Sequence, residues 1–333
     1  MNYKLRKPVH AMSLLLAAML AVPAMAGAPA PRDRMKVPNV VPALDPNEVA
    51  VLPVRDNVYM LTTRAGNIAV HFGVSGVMIV DSGDGTMTPK VLAAIRKLTD
   101  RPISYIVNTS PEAEHIGGNA ELALAGSPPG LPDSDPQIAH VVAHEGASLR
   151  MQKPSPDQKA IDSNGWPIVT YFVDTLELYF SGTPVQLVRV PAARTDGDSL
   201  VVFRRPDVVA TGDIFSPDRY PVIRPERGGS LKGTIDAVNR LLDITVPEDL
   251  QEGGTLVIPG HGRLCDEGEV VEYRDMLTVV RTRIADLIAQ GKTLEQVLAA
   301  RPTLDYDGIY GSTQGPWTTT QFVTAVYREL AKP

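Results

Sequence analysis

Cysteine is almost absent from this sequence: Cys265 is the only one among 333 residues. An internal disulfide is therefore excluded, and stability has to come from a hydrophobic core. With 44% apolar residues, the chain has enough material for one sizeable domain or a two-lobed one. Clusters of lysine and arginine are missing as well, and the formal charge is -6. Phosphate backbones are held by such clusters, so a nucleic-acid partner is disfavoured. No short-period repeat or low-complexity tract competes with a globular reading. The one long apolar run, Ala11 to Val22, is too short for a comfortable membrane span.

That run has Lys4, Arg6 and Lys7 before it and Ala24-Met25-Ala26 after it, the pattern of a secretory signal peptide over residues 1–26. The mature chain is expected to begin at Gly27, in the periplasm or outside the cell, with no membrane association after cleavage. An uncleaved anchor is the alternative. No cysteine follows the cut, so a lipid anchor is not expected. Without residues 1–26 the chain keeps 29 cations against 38 carboxylates, a formal charge of -9. Residues 27–49 carry Pro29, Pro31, Pro38, Pro42 and Pro46 with little periodicity and read as an extended leader.

The folded domain is expected over residues 50–333. Strand-like runs Val51–Val54, Val58–Thr62, Asn67–Phe72 and Gly76–Val80 are separated by turn chemistry and form an antiparallel meander. Thr88–Leu98 shows helical spacing, and Ile103–Val107 is a short buried strand, which completes a βαβ unit. A strand over Gln137–Ala143, a helix over Glu145–Gln152 and a polar loop over Pro154–Pro167 come next. A second set of strands occupies Thr175–Phe180, Val185–Val190, Ser199–Phe203 and Val208–Thr211. Helices then return at Leu231–Leu242, Glu267–Gln290, Leu294–Ala300 and Thr318–Leu330. Two β-rich halves, each followed by helices, predict an α/β fold in which two sheets pack face to face under outer helices.

The stretch that gathers polar side chains at a strand end is Asn108-Thr109-Ser110-Pro111-Glu112-Ala113-Glu114-His115-Ile116-Gly117-Gly118. Its two glycines allow a tight turn that opens a helix. With Asp81-Ser82-Gly83, Thr211-Gly212-Asp213 and Pro259-Gly260-His261-Gly262, it resembles the metal-binding frame of the metallo-β-lactamase superfamily. The resemblance covers residues 50 to 265 motif by motif. It implies a four-layer αβ/βα sandwich of two mixed β-sheets flanked by helices, and a hydrolase with two metals at the sheet ends. The family's loop reads Thr-His-x-His-x-Asp-His-x-Gly-Gly, so this chain departs from it at both leading histidines and carries Glu114 for the aspartate.

Carried over position by position, the first metal's ligands become Ser110, Glu112 and Arg194. Serine is a poor zinc ligand, and a guanidinium offers donors with no lone pair. The first metal site is therefore expected to be lost. A charge-assisted Glu112–Arg194 pair would fill that space and bind or polarise substrate, unless both side chains simply face solvent. The second metal's positions keep Glu114, His115, Asp213 and His261, an adequate set for one Zn, Mn or Fe(II) ion. Asp81 is assigned by the resemblance to orienting the loop through hydrogen bonds. Cys265, four residues after His261, admits a ligand reading, but a small semi-buried residue opening a helix is favoured. His144 reads as structural or substrate-contacting, and Arg224 and Arg227 as solvating their loop or attracting an anion.

Two functions follow. One is an exported mononuclear metallohydrolase acting on a small ester, lactone, thioester or lactam, whose ion would lower the pKa of a bound water and polarise a carbonyl or phosphoryl oxygen. The other is a metal-free pseudoenzyme that keeps the pocket to bind a ligand or a periplasmic partner. Oligomeric state has no signature in the sequence.

Overall fold

In the strand Gly76–Val80 every residue is buried, which is what a strand covered on both faces requires. Its neighbours explain why. The computed structural model describes residues 45–130, 137–156 and 158–332, all within one compact unit. The expected signal peptide and most of the expected leader lie outside the described residues.

The first sheet has seven strands in sequence order: β1 (Ala50–Arg55), β2 (Val58–Thr63), β3 (Gly66–Gly73), β4 (Gly76–Val80), β5 (Ile103–Val107), β6 (His140–His144) and β7 (Val169–Tyr171). Pairing is antiparallel up to β4 and parallel from β4 to β7. The second sheet has six strands: β8 (Thr175–Phe180), β9 (Thr183–Arg189), β10 (Ser199–Phe203), β11 (Val208–Gly212), β12 (Leu256–Pro259) and β13 (Cys265–Asp266). Only β11 and β12 run parallel in it. Both sheets are mixed, and the sandwich is the one anticipated above.

Alternation along the strands sorts side chains between layers. Met78 and Val80 of β4 face the inter-sheet core with Val107, Leu187, Phe203 and Ile258. Val77 and Ile79 face the opposite way, against Val91 and Ile95 of α1 (Thr88–Leu98) and Leu122 of α3 (Asn119–Leu124). Behind the second sheet, Val209 and Val257 pack with α5 (Leu231–Leu242), α6 (Glu267–Ala289) and α9 (Thr319–Leu330). In chain order the remaining helices are the short α2 (Ala113–Ile116), α4 (Glu145–Gln152), α7 (Leu294–Ala300) and α8 (Asp307–Tyr310). The helix α9 is fastened to α5 by a charge at a helix N-terminus: the Glu329 carboxylate accepts from Leu231 N at 2.6 Å and Lys232 N at 3.1 Å.

Element boundaries follow the sequence pattern closely. Several short elements escaped it, among them α2, β7, β13 and α8, because two to four residues do not show a period. Among the described residues of the expected polar loop, Ser163–Gly165 forms a short 3-10 turn. Cys265 is buried in β13 just before α6, and its thiol donates to the Arg263 carbonyl at 3.2 Å.

One polar side chain sits inside the inter-sheet core. His71 packs edge-on against Phe180 and Phe203, each ring centroid 5.3 Å away, and its Nδ1 has no hydrogen-bond partner. Burial, opposed in part by Asp56, lowers its pKa from 6.5 to about 4. Between those values the unfolded chain is protonated and the folded chain is not, so stability is lost as pH falls through this window. We expect acidification from about pH 7 to pH 5 to cost about 2 kcal/mol through this residue. Urea unfolding of the natural chain and His71→Leu at both pH values checks it; an equal loss in both would rule His71 out.

Candidate functional site

Four loops meet where the central strands of the two sheets end, after β4, β5, β11 and β12, the usual place for chemistry in an α/β sheet. They are sewn together by backbone bonds. Asp81 N donates to Val107 O at 2.8 Å, and Ser199 N crosses from the second sheet to Thr109 O at 2.8 Å. Asn67 of β3 holds the His261 loop through Pro259 O and Gly262 O, both at 2.9 Å. The paired glycines act as expected: a Cβ at Gly117 would collide with the Asp84 backbone, and one at Gly118 with the Ser82 carbonyl. Gly212 has φ of +51° and lies so close to Thr109 that a side chain has no room.

Behind the loop lies a buried amide network. Asn108 and Asn119 bond each other through both amides, at 3.1 and 2.8 Å, and Asn119 also accepts from Ser82 Oγ at 2.8 Å. Its amide reaches on to Gly165 O at 3.0 Å, so the polar segment over residues 154–167 is tied to the same scaffold. Gln158 adds a bond from that segment to Pro111 O at 2.6 Å.

The charged centre rests on this frame. Asp81, at φ of +65°, accepts from Thr109 N at 2.8 Å and Thr109 Oγ1 at 2.7 Å. Its Oδ2 lies 2.8 Å from His115 Nδ1, and His115 Nε2 lies 2.9 Å from Asp213 Oδ2. Burial opposes a charge on His115, but Asp213 and Asp81 outweigh it and raise the pKa well above 6.5. The ring is an imidazolium clamped between two carboxylates. Arg194 donates through Nη1 to Asp213 Oδ2 and through Nη2 to Glu114 Oε1 at 2.7 Å. Burial works against the ionised Asp213, yet Arg194 and His115 hold its carboxyl well below the usual range. Glu114 is lowered in the same way, chiefly by Arg194 working against burial.

Glu112 is a buried member of the cluster. Its direct partner is Arg227, which donates through Nη1 to Oε1, while Arg194 stands 3.7 Å and Arg224 3.9 Å away. The anticipated Glu112–Arg194 pair is present as an ion pair at 3.7 Å and not as a bidentate one, since the hydrogen bonds go from Arg227 to Glu112 and from Arg194 to Glu114 and Asp213. The reason is reach: Arg227 comes in on the loop ahead of α5 and is buried, not solvating its loop as its sequence suggests. The segment carrying Arg194 is fixed by Asp198, which accepts from Arg194 N at 2.8 Å, Thr195 N at 2.6 Å and Thr195 Oγ1 at 2.7 Å. Burial still pushes the Asp198 carboxyl up to about 6.

Of the remaining sequence candidates, Ser110 is buried and accepts from Glu112 N at 3.4 Å. His261 Nε2 lies 3.5 Å from Asp213 Oδ1 on the more open side, and burial, with opposition from Asp213, lowers its pKa. His144 caps α4, accepting from Gly146 N at 3.1 Å, and lies against Tyr171. Sequence reasoning passed over Asn108, Asn119, Asp198 and the pairing of Arg227. Asn108 and Asn119 flank the motif on both sides, which is the one signal that points to them.

Whether these residues fit a metal is decided by their partners. At the first site, Ser110, Glu112 and Arg194 do not: a guanidinium has no lone pair to give. At the second, Glu114, Asp213 and His261 offer ligand atoms within 4.8 Å of one another, a group able to hold an ion by spacing alone. The same oxygens are taken, however, since Arg194 bridges Glu114 and Asp213, and His115 spends Nε2 on Asp213. Arg194, Arg224, Arg227 and the His115 imidazolium stand against Asp81, Glu112, Glu114 and Asp213, so the charge is already balanced. With Arg194 in this position the residues do not fit a further cation.

Solved structures share this fold at low identity. A metallo-beta-lactamase from Pontibacter korlensis is 17% identical, with a TM-score of 0.54 over 69% of this chain and 99% of its own. The metallo-beta-lactamase DIM-1 is 15% identical, with a TM-score of 0.52 over 69% of this chain and 97% of its own. The stereoselective inverting sec-alkylsulfatase Pisa1 from Pseudomonas sp. is 16% identical, with a TM-score of 0.59 over 85% of this chain. This chain spans 50% of the length of that sulfatase. No curated protein matches. The family description "Metallo-beta-lactamase superfamily" matches residues 61–261, more than half of the sequence, and the chain is a member of that superfamily.

Proposed function

We propose that this chain is an exported superfamily member whose centre works without a metal and binds a small molecule on its partly exposed side, at Glu114 and His261. The observation that carries this reading is Arg194, a permanently charged group hydrogen-bonded to both carboxylates that an ion would need. A guanidinium supplies fixed positive charge and directional donors in place of a dication, and His115 adds a second cation beside it. What such a centre does well is to hold and orient an acceptor group on a ligand. Generation of a metal hydroxide has no place in it. Export is supported by the basic, apolar and Ala-x-Ala pattern at the N-terminus.

A second reading is the mononuclear hydrolase, acting on a small ester, lactone, thioester or lactam. The spacing of Glu114, Asp213 and His261 favours it, as does membership in a superfamily whose members are mostly hydrolases. It requires Arg194 to leave the carboxylates it now bridges.

Elemental mass spectrometry separates the two. We expect the mature chain from Gly27, purified without an affinity tag and equilibrated with Zn, Mn or Fe(II), to carry far less than one equivalent. Its melting temperature should not respond to a chelator. About one equivalent, lost with stability on chelation, would instead establish the hydrolase reading.

The electrostatic reading has its own check. Arg194→Ala leaves buried carboxylates short of a counter-charge and should cost about 3 to 5 kcal/mol in urea unfolding, with Glu114→Gln added to it restoring part of that loss. Arg194→His should at the same time raise zinc affinity at least tenfold. A neutral Arg194→Ala or an unmoved zinc affinity would remove the guanidinium from its assigned place.

A further inference from the structure

Outside the centre, the side of α9 that faces residues 223–226 forms a groove of about 460 Å³. Its volume lies in the range of small-molecule sites. Arg224, Trp317, Thr320, Thr324, Arg328 and Lys332 line it. Three of these are cations against two acids, Glu226 and Glu329, which leaves a formal excess of one positive charge. Glu329 has committed both carboxylate oxygens to the N-terminus of α5. Glu226 is well exposed and stands 3.8 Å from Arg224 Nη1. Arg328 and Lys332 are exposed and have no ion-pair partner among the described residues. Arg224 Nε is buried from water and has no hydrogen-bond partner. The groove is thus a place where positive charge exceeds its local compensation.

An aromatic surface lies inside this field. Trp317 Nε1 donates to Pro221 O at 3.1 Å, which pins the indole. Thr324 Oγ1 gives its proton to Thr320 O at 2.6 Å. Cations arranged around a fixed indole, with Ile223, Pro225 and Ala325 as apolar wall, suit a flat ring that carries a negative group: the ring stacks on Trp317 and the anion is shared by Arg224 and Arg328.

We infer that this groove is a binding site for a small aromatic carboxylate or sulfonate, distinct from the charged centre and touching it only through Arg224, whose Nε lies 3.9 Å from Glu112. The inference does not rest on the metal-free reading of the centre, because neither Arg328 nor Trp317 belongs to it.

The chain has two tryptophans, so Trp166→Phe leaves Trp317 as the sole reporter. Titration of that variant with 4-nitrobenzoate should quench its fluorescence saturably, and added salt should weaken the effect. The uncharged 4-nitrobenzyl alcohol should give only linear, collisional quenching. Arg328→Glu, a surface change, should weaken binding at least tenfold. Calorimetric titration of the natural chain with 4-nitrobenzoate gives the same reading without the Trp166 change. Three results would overturn the site: no saturable binding by either method, equal binding of the neutral analogue, or full binding in Arg328→Glu, which would put the anion at the centre instead.

Discussion

Everything in the centre turns on where Arg194 puts its guanidinium. Two carboxylates, the partly exposed Glu114 and the buried side chain of Asp213, come from loops on different sheets and would repel each other. The guanidinium lies between them and converts that repulsion into the bond that closes the two sheets at this end. His115 repeats the arrangement one step deeper, between Asp213 and Asp81. The result is an alternating line of acid and base running from the β4 turn through Arg194 to the partly exposed Glu114. Burying so many charges is tolerable only because each has a partner within reach.

The frame that carries this line is conventional hydrophobic architecture. Met78 and Val80 on one face of β4, and Val77 and Ile79 on the other, tie that strand to both the second sheet and the outer helices. The loop after β4 therefore starts from a fixed point. The asparagine pair Asn108 and Asn119 then fixes the motif loop from behind, with Ser82 and Gly165 as further partners. Precision at the centre comes from these neutral amides, which satisfy one another without adding charge to a crowded region.

Much of this was legible in the residues before any coordinates. Strand alternation and helical spacing marked the long elements, and the Gly117-Gly118 pair marked the turn beside the site. The identity of the loops followed from Asp81, His115, Asp213 and His261. What did not follow was who pairs with whom. Glu114 and Arg194 are separated by 80 positions and Glu112 and Arg227 by 115, and local pattern has no means to choose among arginines that reach one carboxylate. Long flexible cations are also the residues whose burial is hardest to read, because Arg227 looks the same in a sequence whether it ends in water or under a loop. Three-residue β7 escaped for a different reason: its place is set by pairing with β6, and three residues carry no alternation of their own.

The balanced line of charges has a consequence for how such a centre changes over generations. Each member is needed to neutralise the next, so substitution of any single one strands a buried charge. Glu112, Glu114, Arg194 and Arg227 are for that reason tied to one another, so that any route from them to a metal-ligating set has to pass through less stable intermediates. Neutral drift at these positions is blocked even where no chemistry depends on them.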